Sequence, residues 1–289
     1  MARGFAGLEQ VALTVVVNVG DDATVHGLSV CPDLDTVVYT LAGIEGPEGW
    51  GRQDETWNAM GELERFPTDT SFRLGDKDLA LNLFRSGRLG AGAALSEVTA
   101  GVCRAFGVRP TVLPASDDPI RTMVQVQGDR WIDFQTYFVR RRHADRVMDV
   151  RFEGAGTARP APGVTEAIRQ ADALVIAPSN PPLSVWPILA VPEIAGAVSA
   201  ARRILAISPL IGGAALKGPA ATVLRDLGHP PGNAGVVAAY GGLLTDLVVD
   251  DRDRADAGTL GPRVWVTDIR IAEAAAAARL ATEVVAWLR

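Results

Sequence analysis

Short, uninterrupted runs of aliphatic and β-branched residues, each ending in a polar or Pro/Gly turn, recur along this chain and constrain its fold more than any other feature. They are Leu13-Thr14-Val15-Val16-Val17, Ala173-Leu174-Val175-Ile176-Ala177 and Ile204-Leu205-Ala206-Ile207. A strand with no polar alternation is buried on both faces, and such strands belong to parallel sheets covered by helices. The segments Asp33 to Ile44, Asp54 to Phe66, Lys77 to Arg88 and Leu95 to Phe106 carry helical spacing, so a helical insertion over about 33–108 follows the first strand. From Thr122 to Phe152 the pattern alternates, as in Met123-Val124-Gln125-Val126 and Trp131-Ile132-Asp133-Phe134, and a small β excursion is expected. Trp131, Phe134, Tyr137 and Phe138 suit the core of a half-buried strand better than a stacking platform. There is no fixed-period repeat and no low-complexity linker, so residues 1–289 read as a single elaborated α/β domain.

The net charge of −6 argues against non-specific duplex binding, which needs a basic face to neutralise phosphates. Lys77 and Lys217 are the only lysines, so nearly every positive site is an arginine, for which compositional bias is the plainer explanation. Two cysteines, Cys31 and Cys103, cannot build a cysteine-based zinc site and read as reduced, buried thiols of a cytoplasmic protein. The apolar run Val11 to Val17 is too short to span a membrane. Ala272 to Leu288 carries Glu273, Arg279 and Glu283 on one helical face, which makes it a docking helix and not an anchor.

In an open parallel sheet the ligand lies beyond the carboxyl ends of the strands. That rule selects the loops Asn18 to Asp22, Pro178 to Pro187 and Ser208 to Lys217. Asp21, Asp22, Asp33 and Asp35 fall within fifteen residues of one another, and Mg²⁺ takes one or two carboxylates together with substrate phosphates. Each acid also has a plainer reading: Asp33 as a cap on a helix starting at Leu34, Asp21 or Asp22 as turn residues. Ser179 and Asn180 follow a buried strand and precede a helical run, a setting that suits phosphate and equally suits a proline-stiffened connection. The Ser208 to Gly218 segment offers glycines and Lys217 without P-loop spacing. His26, His143 and His229 are isolated, so no histidine-based triad is indicated, and no Gly-x-Gly-x-x-Gly supports a nicotinamide oxidoreductase.

Seven segments stand in a recognisable order: Asn18-Val19-Gly20-Asp21-Asp22, Cys31-Pro32-Asp33-Leu34-Asp35-Thr36, Arg73-Leu74-Gly75-Asp76-Lys77-Asp78, Leu113-Pro114-Ala115-Ser116-Asp117-Asp118-Pro119, Phe134-Gln135, Ala177-Pro178-Ser179-Asn180-Pro181 and Asp250-Asp251-Arg252-Asp253-Arg254-Ala255-Asp256. Together they resemble the 2-phospho-L-lactate transferase family of coenzyme F420 biosynthesis. The resemblance implies a Rossmann-like, Mg²⁺-dependent enzyme. Such an enzyme moves a phospholactyl or phosphoenolpyruvyl unit from a guanosine diphosphate-linked donor to the terminal hydroxyl of the deazaflavin Fo, releasing GMP. It implies that Asp35 and Arg73 bind the acceptor, with Asp35 orienting or deprotonating its hydroxyl. Ser179 and Asn180 are then expected near the donor phosphates, Asp21 and Asp35 at the metal, and the assembly is expected to be a homodimer. A non-catalytic, nucleotide-sugar-binding relative, like the gluconeogenesis-factor proteins, is the alternative, although those lack the combination of Pro-Asp-Leu-Asp with Arg-Leu-Gly-Asp.

Members of that family begin with a short strand and a Gly-Gly-x-Gly loop. Met1 to Leu8 here resembles only the helix that follows that loop. A start codon assigned too late is the expected explanation, and loss of part of the donor site in a paralogue is the other.

Overall fold

The computed structural model describes residues 1–47, 49, 51–128, 130–216 and 218–289. Its strands are β1 (Thr14–Val17), β2 (Ala23–Val25), β3 (Leu28–Val30), β4 (Thr111–Pro114), β5 (Arg121–Val126), β6 (Arg130–Asp133), β7 (Val147–Glu153), β8 (Leu174–Ile176), β9 (Ile204–Ile207), β10 (Leu210–Ile211), β11 (Ala214–Ala215), β12 (Asp246–Val249) and β13 (Arg263–Val266). The parallel strands stand in two pieces: β1 beside β4, and a four-stranded sheet in the order β13-β12-β9-β8. All three sequence-derived strands are present and parallel.

The four-stranded sheet is covered on both faces, as its unbroken apolar runs require. Ile204 and Ala206 of β9, with Leu247 and Val249 of β12, point into the main core. The alternate residues Leu205, Ile207 and Val248 join a second core with Phe5, Leu280 and Val284. That second face is closed by the helices Ala2–Ala6 and Ala274–Leu288, the latter burying Ala277, Leu280, Ala281 and Val284 at one-face spacing. A side chain at Gly4 would place its Cβ 2.2 Å from the Ala277 carbonyl oxygen, so the close crossing of these two helices depends on glycine.

Among the described residues, four helices occupy the expected insertion: Pro32–Ala42, Asn58–Leu63, Asp76–Gly90 and Leu95–Ala105. The second is shorter than its periodicity predicts. Asp54 takes a left-handed φ of 54°, and Asp76, from the following helix, supplies the carboxylate that accepts from Asn58 N at 3.1 Å and Ala59 N at 3.0 Å. Glu55 returns the favour, accepting from Lys77 N and Asp78 N, both at 2.9 Å. The two helix starts thus cap one another. A Cβ on Gly75 would lie 2.2 Å from Glu55 Cδ, which accounts for the glycine of Arg-Leu-Gly-Asp.

The β excursion is an antiparallel sheet in the order β6-β5-β7. The strand expected to continue through Phe134 ends at Asp133, whose carboxylate accepts from Thr136 N at 2.8 Å and Thr136 Oγ1 at 2.6 Å. A π-helical turn, Thr136–Arg140, follows, burying Tyr137 while Phe138 stacks on Phe134 at the surface. The hairpin β2–β3 was not legible in the sequence. Its arms are three residues each, and it turns through His26 and Gly27 at φ values of 51° and 80°, the pair of positive angles that a tight hairpin demands.

Candidate functional site

The end of β1 is where the chain concentrates buried charge. Asn18 organises it: Oδ1 accepts from Gly20 N at 2.8 Å, and Nδ2 donates to Asp33 Oδ2 at 3.1 Å and reaches Asp21 Oδ1 at 3.5 Å. The turn is clamped from the β excursion as well, by Thr122 N donating to Gly20 O at 2.7 Å and Gln135 Nε2 donating to Asp21 O at 2.8 Å. Glycine at position 20 is required by this convergence. A Cβ there would meet Thr122 Oγ1 at 2.6 Å and Pro187 Cβ at 2.9 Å.

Asp33 is therefore no helix cap. Its helix starts one residue earlier at Pro32, with Cys31 at the cap position and no side-chain capping bond, and its carboxylate faces Asn18. Asp35 sits one residue beyond Leu34 on that helix and accepts on Oδ1 from Arg85 Nη2. Arg85 also donates to Asn82 Oδ1 at 2.6 Å and to Ser29 O at 3.2 Å, so the guanidinium is held on three sides inside the protein.

Burial raises the proton affinity of every acid in this group. Asp21 is pushed well above the usual carboxylate range, first by burial and then by the charges of Asp33 and Asp22. Burial carries Asp22 to about 7 against the opposing pull of a Cys31 hydrogen bond and Arg85. Asp35 rises to about 6 from burial, restrained by Arg85, and Asp33 rises from burial against its bond from Asn18. Such a cluster is short of positive charge.

A cleft of about 470 Å³ opens over Asp21 and Asp22, with Arg121, Thr122 and Gln135 around them and the rings of Phe72 and Phe134 on its walls. Asp69 and Arg140, also in its lining, form an ion pair. Asp33 and Asp35 are not among the residues that line it. Among the described residues, no group of three or more His, Cys, Asp or Glu side chains is gathered as a metal cage. Asp21 and Asp22 at the cleft floor still fit a Mg²⁺ that completes its shell with substrate phosphate and water.

The remaining candidates are spread more widely. Arg73 is 53% exposed, 3.9 Å from Glu64 Oε1, with its guanidinium 5.2 Å from the centre of the Trp57 ring. It is the neighbour of Phe72 and not itself in the cleft lining. Asn180 precedes the turn Pro181–Val185, and both polar atoms of its side chain are buried without a hydrogen-bond partner. Ser179 lies beside it in the same half-buried loop. In the third loop, Ser208 Oγ donates to Asn233 Oδ1 at 2.6 Å, and Gly212 N, at the turn of the small hairpin β10–β11, donates to Asp253 Oδ2 at 2.8 Å in the segment Asp251–Gly258. Lys217 lies outside the described residues. His143 and His229 pack against Phe138 and Trp186, and His26 bonds the Phe72 carbonyl at 3.1 Å. Arg85 was missed by sequence reasoning. Its signal was an arginine at helical spacing from Leu81, on the face that the helix buries.

The family model of the 2-phospho-L-lactate transferase CofD matches residues 1–276 of the chain. The chain belongs to that family. A phosphoenolpyruvate transferase of Kitasatospora aureofaciens is 45% identical over 248 residues, covering 83% of this chain and 77% of its own length. Another, from Thermobifida fusca, is 41% identical over 268 residues, 91% of this chain and 83% of that one. Among solved structures, a member of the UPF0052 family from Bacillus halodurans superposes with a TM-score of 0.67 at 19% identity, over 98% of this chain and 94% of that one, a likeness of fold. Membership of the 2-phospho-L-lactate transferase family makes the chain a transferase of coenzyme F420 biosynthesis. No single helix among the described residues is long and apolar enough to cross a membrane.

Proposed function

We propose that the chain transfers a phosphoenolpyruvyl or phospholactyl unit from a guanosine diphosphate-linked donor to the terminal ribityl hydroxyl of Fo, with release of GMP. The observation that carries this reading is the cleft itself. It has room for a ring with a polar chain, its walls present aromatic faces, and its floor is a set of buried carboxylates at the carboxyl edge of β1.

In the transfer, the acceptor oxygen forms a bond to the phosphorus that carries the three-carbon unit. The bond from that phosphorus to the bridging oxygen breaks, and GMP departs with the electron pair. The hydroxyl proton passes to a carboxylate, and Asp35, at about 6, is basic enough to take it at neutral pH while Arg85 fixes its orientation. Phosphate is a good leaving group, so no protonated histidine is needed. Bound Mg²⁺ would be held by Asp21 together with Asp35, as the resemblance implies, or with Asp22, which lines the cleft beside Asp21, and would neutralise the donor diphosphate against the carboxylates. Arg73 is assigned to the acceptor, beside Phe72, and Ser179 and Asn180 to the donor phosphates. The unpartnered amide of Asn180 supports the last assignment, because a buried amide without a partner is costly unless a ligand supplies one.

Fo is fluorescent, and titrating it with the protein tests the acceptor assignment. Saturable binding that weakens about ten- to a hundredfold in Arg73→Ala supports the reading. Absence of Fo binding, with binding of a nucleotide sugar in its place, would point to the regulatory alternative.

A further inference from the structure

Both three-carbon units of the proposed reaction, phospholactyl and phosphoenolpyruvyl, bear a carboxylate on the carbon bonded to the phosphate ester oxygen. That carboxylate stays within a few bonds of the phosphorus under attack, so it comes to the cleft floor, where Asp21 and Asp22 repel it. A cation of the chain must hold it there. The basic side chains in the cleft lining are those of His26, Arg121 and Arg140. His26 is bonded to the Phe72 carbonyl at 3.1 Å, and Arg140 is engaged by Asp69. Arg85 is taken by Asp35 and does not line the cleft.

Arg121 is the cation left over. It opens β5 in a half-buried position, and among the described residues no ion pair engages it: Glu153, opposite it in the register of β5 and β7, is paired with Arg151 at 2.6 Å. Its side chain donates from Nη1 to the Ile120 carbonyl at 2.9 Å, which leaves Nη2 and Nε for an acceptor. Its charge is felt at the floor, where it draws the proton affinity of Asp22 down against the push of burial. We propose that Arg121 binds the carboxylate of the three-carbon unit through a forked pair of charge-assisted hydrogen bonds, and so selects donors that carry an acid beside the transferred phosphorus. The inference rests on the reading of the donor given above and deepens it by naming what recognises the transferred unit.

Two donors isolate this contact. One is guanosine diphosphate esterified through its terminal phosphate to lactate or enolpyruvate, and the other is the same nucleotide esterified to ethanol, which keeps the diphosphate and lacks the acid. With Fo and Mg²⁺ present, Arg121→Met is expected to lose about ten- to a hundredfold in kcat/KM on the acid-bearing donor and to match wild type on the ethyl donor. Arg121→Lys, which keeps the charge without the fork, falls between the two. Calorimetric titration of the acid-bearing donor with Mg²⁺ and without Fo shows the same order of affinities, while Fo affinity and the urea midpoint stay at the wild-type values. An unchanged kcat/KM on the acid-bearing donor, or an equal loss on both donors, overturns the assignment of Arg121. Failure of the wild type to transfer from either donor overturns the donor reading itself, and this inference falls with it.

Discussion

Arg85 and Asp35, fifty positions apart in the chain, meet as a buried ion pair whose side chains are 4% and 12% exposed. The pair ties the helix Asp76–Gly90 to the helix Pro32–Ala42, which carries Asp33 and Asp35 of the carboxylate cluster. Removing one partner of such a pair leaves an uncompensated buried charge, at a cost of about 3–5 kcal/mol. Arg85→Met is therefore expected to lower stability by that order in urea unfolding, and adding Asp35→Asn to recover a large part of the loss. Equal unfolding midpoints for wild type and Arg85→Met would show that the pair does not hold the two helices together.

The buried acids make stability depend on pH in a definite direction. Asp22 is raised to about 7 and Asp35 to about 6, so both bind protons more readily folded than unfolded. Their favourable contribution is fully present below about pH 4 and is lost as pH rises through 6 to 7. With divalent cations chelated, Asp22→Asn should unfold at higher urea than wild type at pH 8 and at a similar concentration near pH 4. A constant difference across that range would contradict the assignment.

Arg73 separates binding from stability. Its ion pair with Glu64 and its contact with Trp57 are exposed, and each is worth about 1 kcal/mol or less. Arg73→Ala is expected to leave the unfolding midpoint nearly unchanged and to weaken Fo binding about ten- to a hundredfold, the cost of a lost charge-assisted hydrogen bond. The reverse pattern, intact binding with lowered stability, would make Arg73 a structural residue.

Gly20→Ala probes the turn at the cleft floor. The added methyl meets Thr122 Oγ1, Pro187 Cβ and Asn18 Oδ1 within 3.0 Å, and a clash against packed neighbours costs about 1–3 kcal/mol. Urea unfolding should register a loss of that order. A midpoint equal to that of wild type would mean that the turn gives way freely.

What the sequence made legible follows from how local each signal is. The apolar runs of β8 and β9 announced buried parallel strands because alternate side chains enter two cores, and that of β1 because its valines enter the main one. The helix at Ala274–Leu288 was equally plain from its one-faced spacing. The shortened helix at Asn58–Leu63 was not, since its start is set by Asp76 from a later segment. The π-helical turn at Thr136–Arg140 depends on where Asp133 stops a strand, and an alternation of aromatics does not reveal that. Asp21 and Asp22 were legible as residues of a loop after a strand. The pairing of Asp35 with Arg85 was hidden because it joins positions on two helices that only the fold brings together.

Transfer itself is measured by mixing the protein with Fo, Mg²⁺ and guanosine diphosphate-linked phosphoenolpyruvate or phospholactate, and quantifying both GMP and the deazaflavin product. The expected result is one deazaflavin phosphodiester for each GMP released, activity lost in EDTA and restored by Mg²⁺, and turnover reduced on the order of a hundredfold or more in Asp35→Asn. Release of GMP without a deazaflavin product, or full turnover in EDTA or by Asp35→Asn, would contradict a metal-assisted transfer to the acceptor hydroxyl at this cleft.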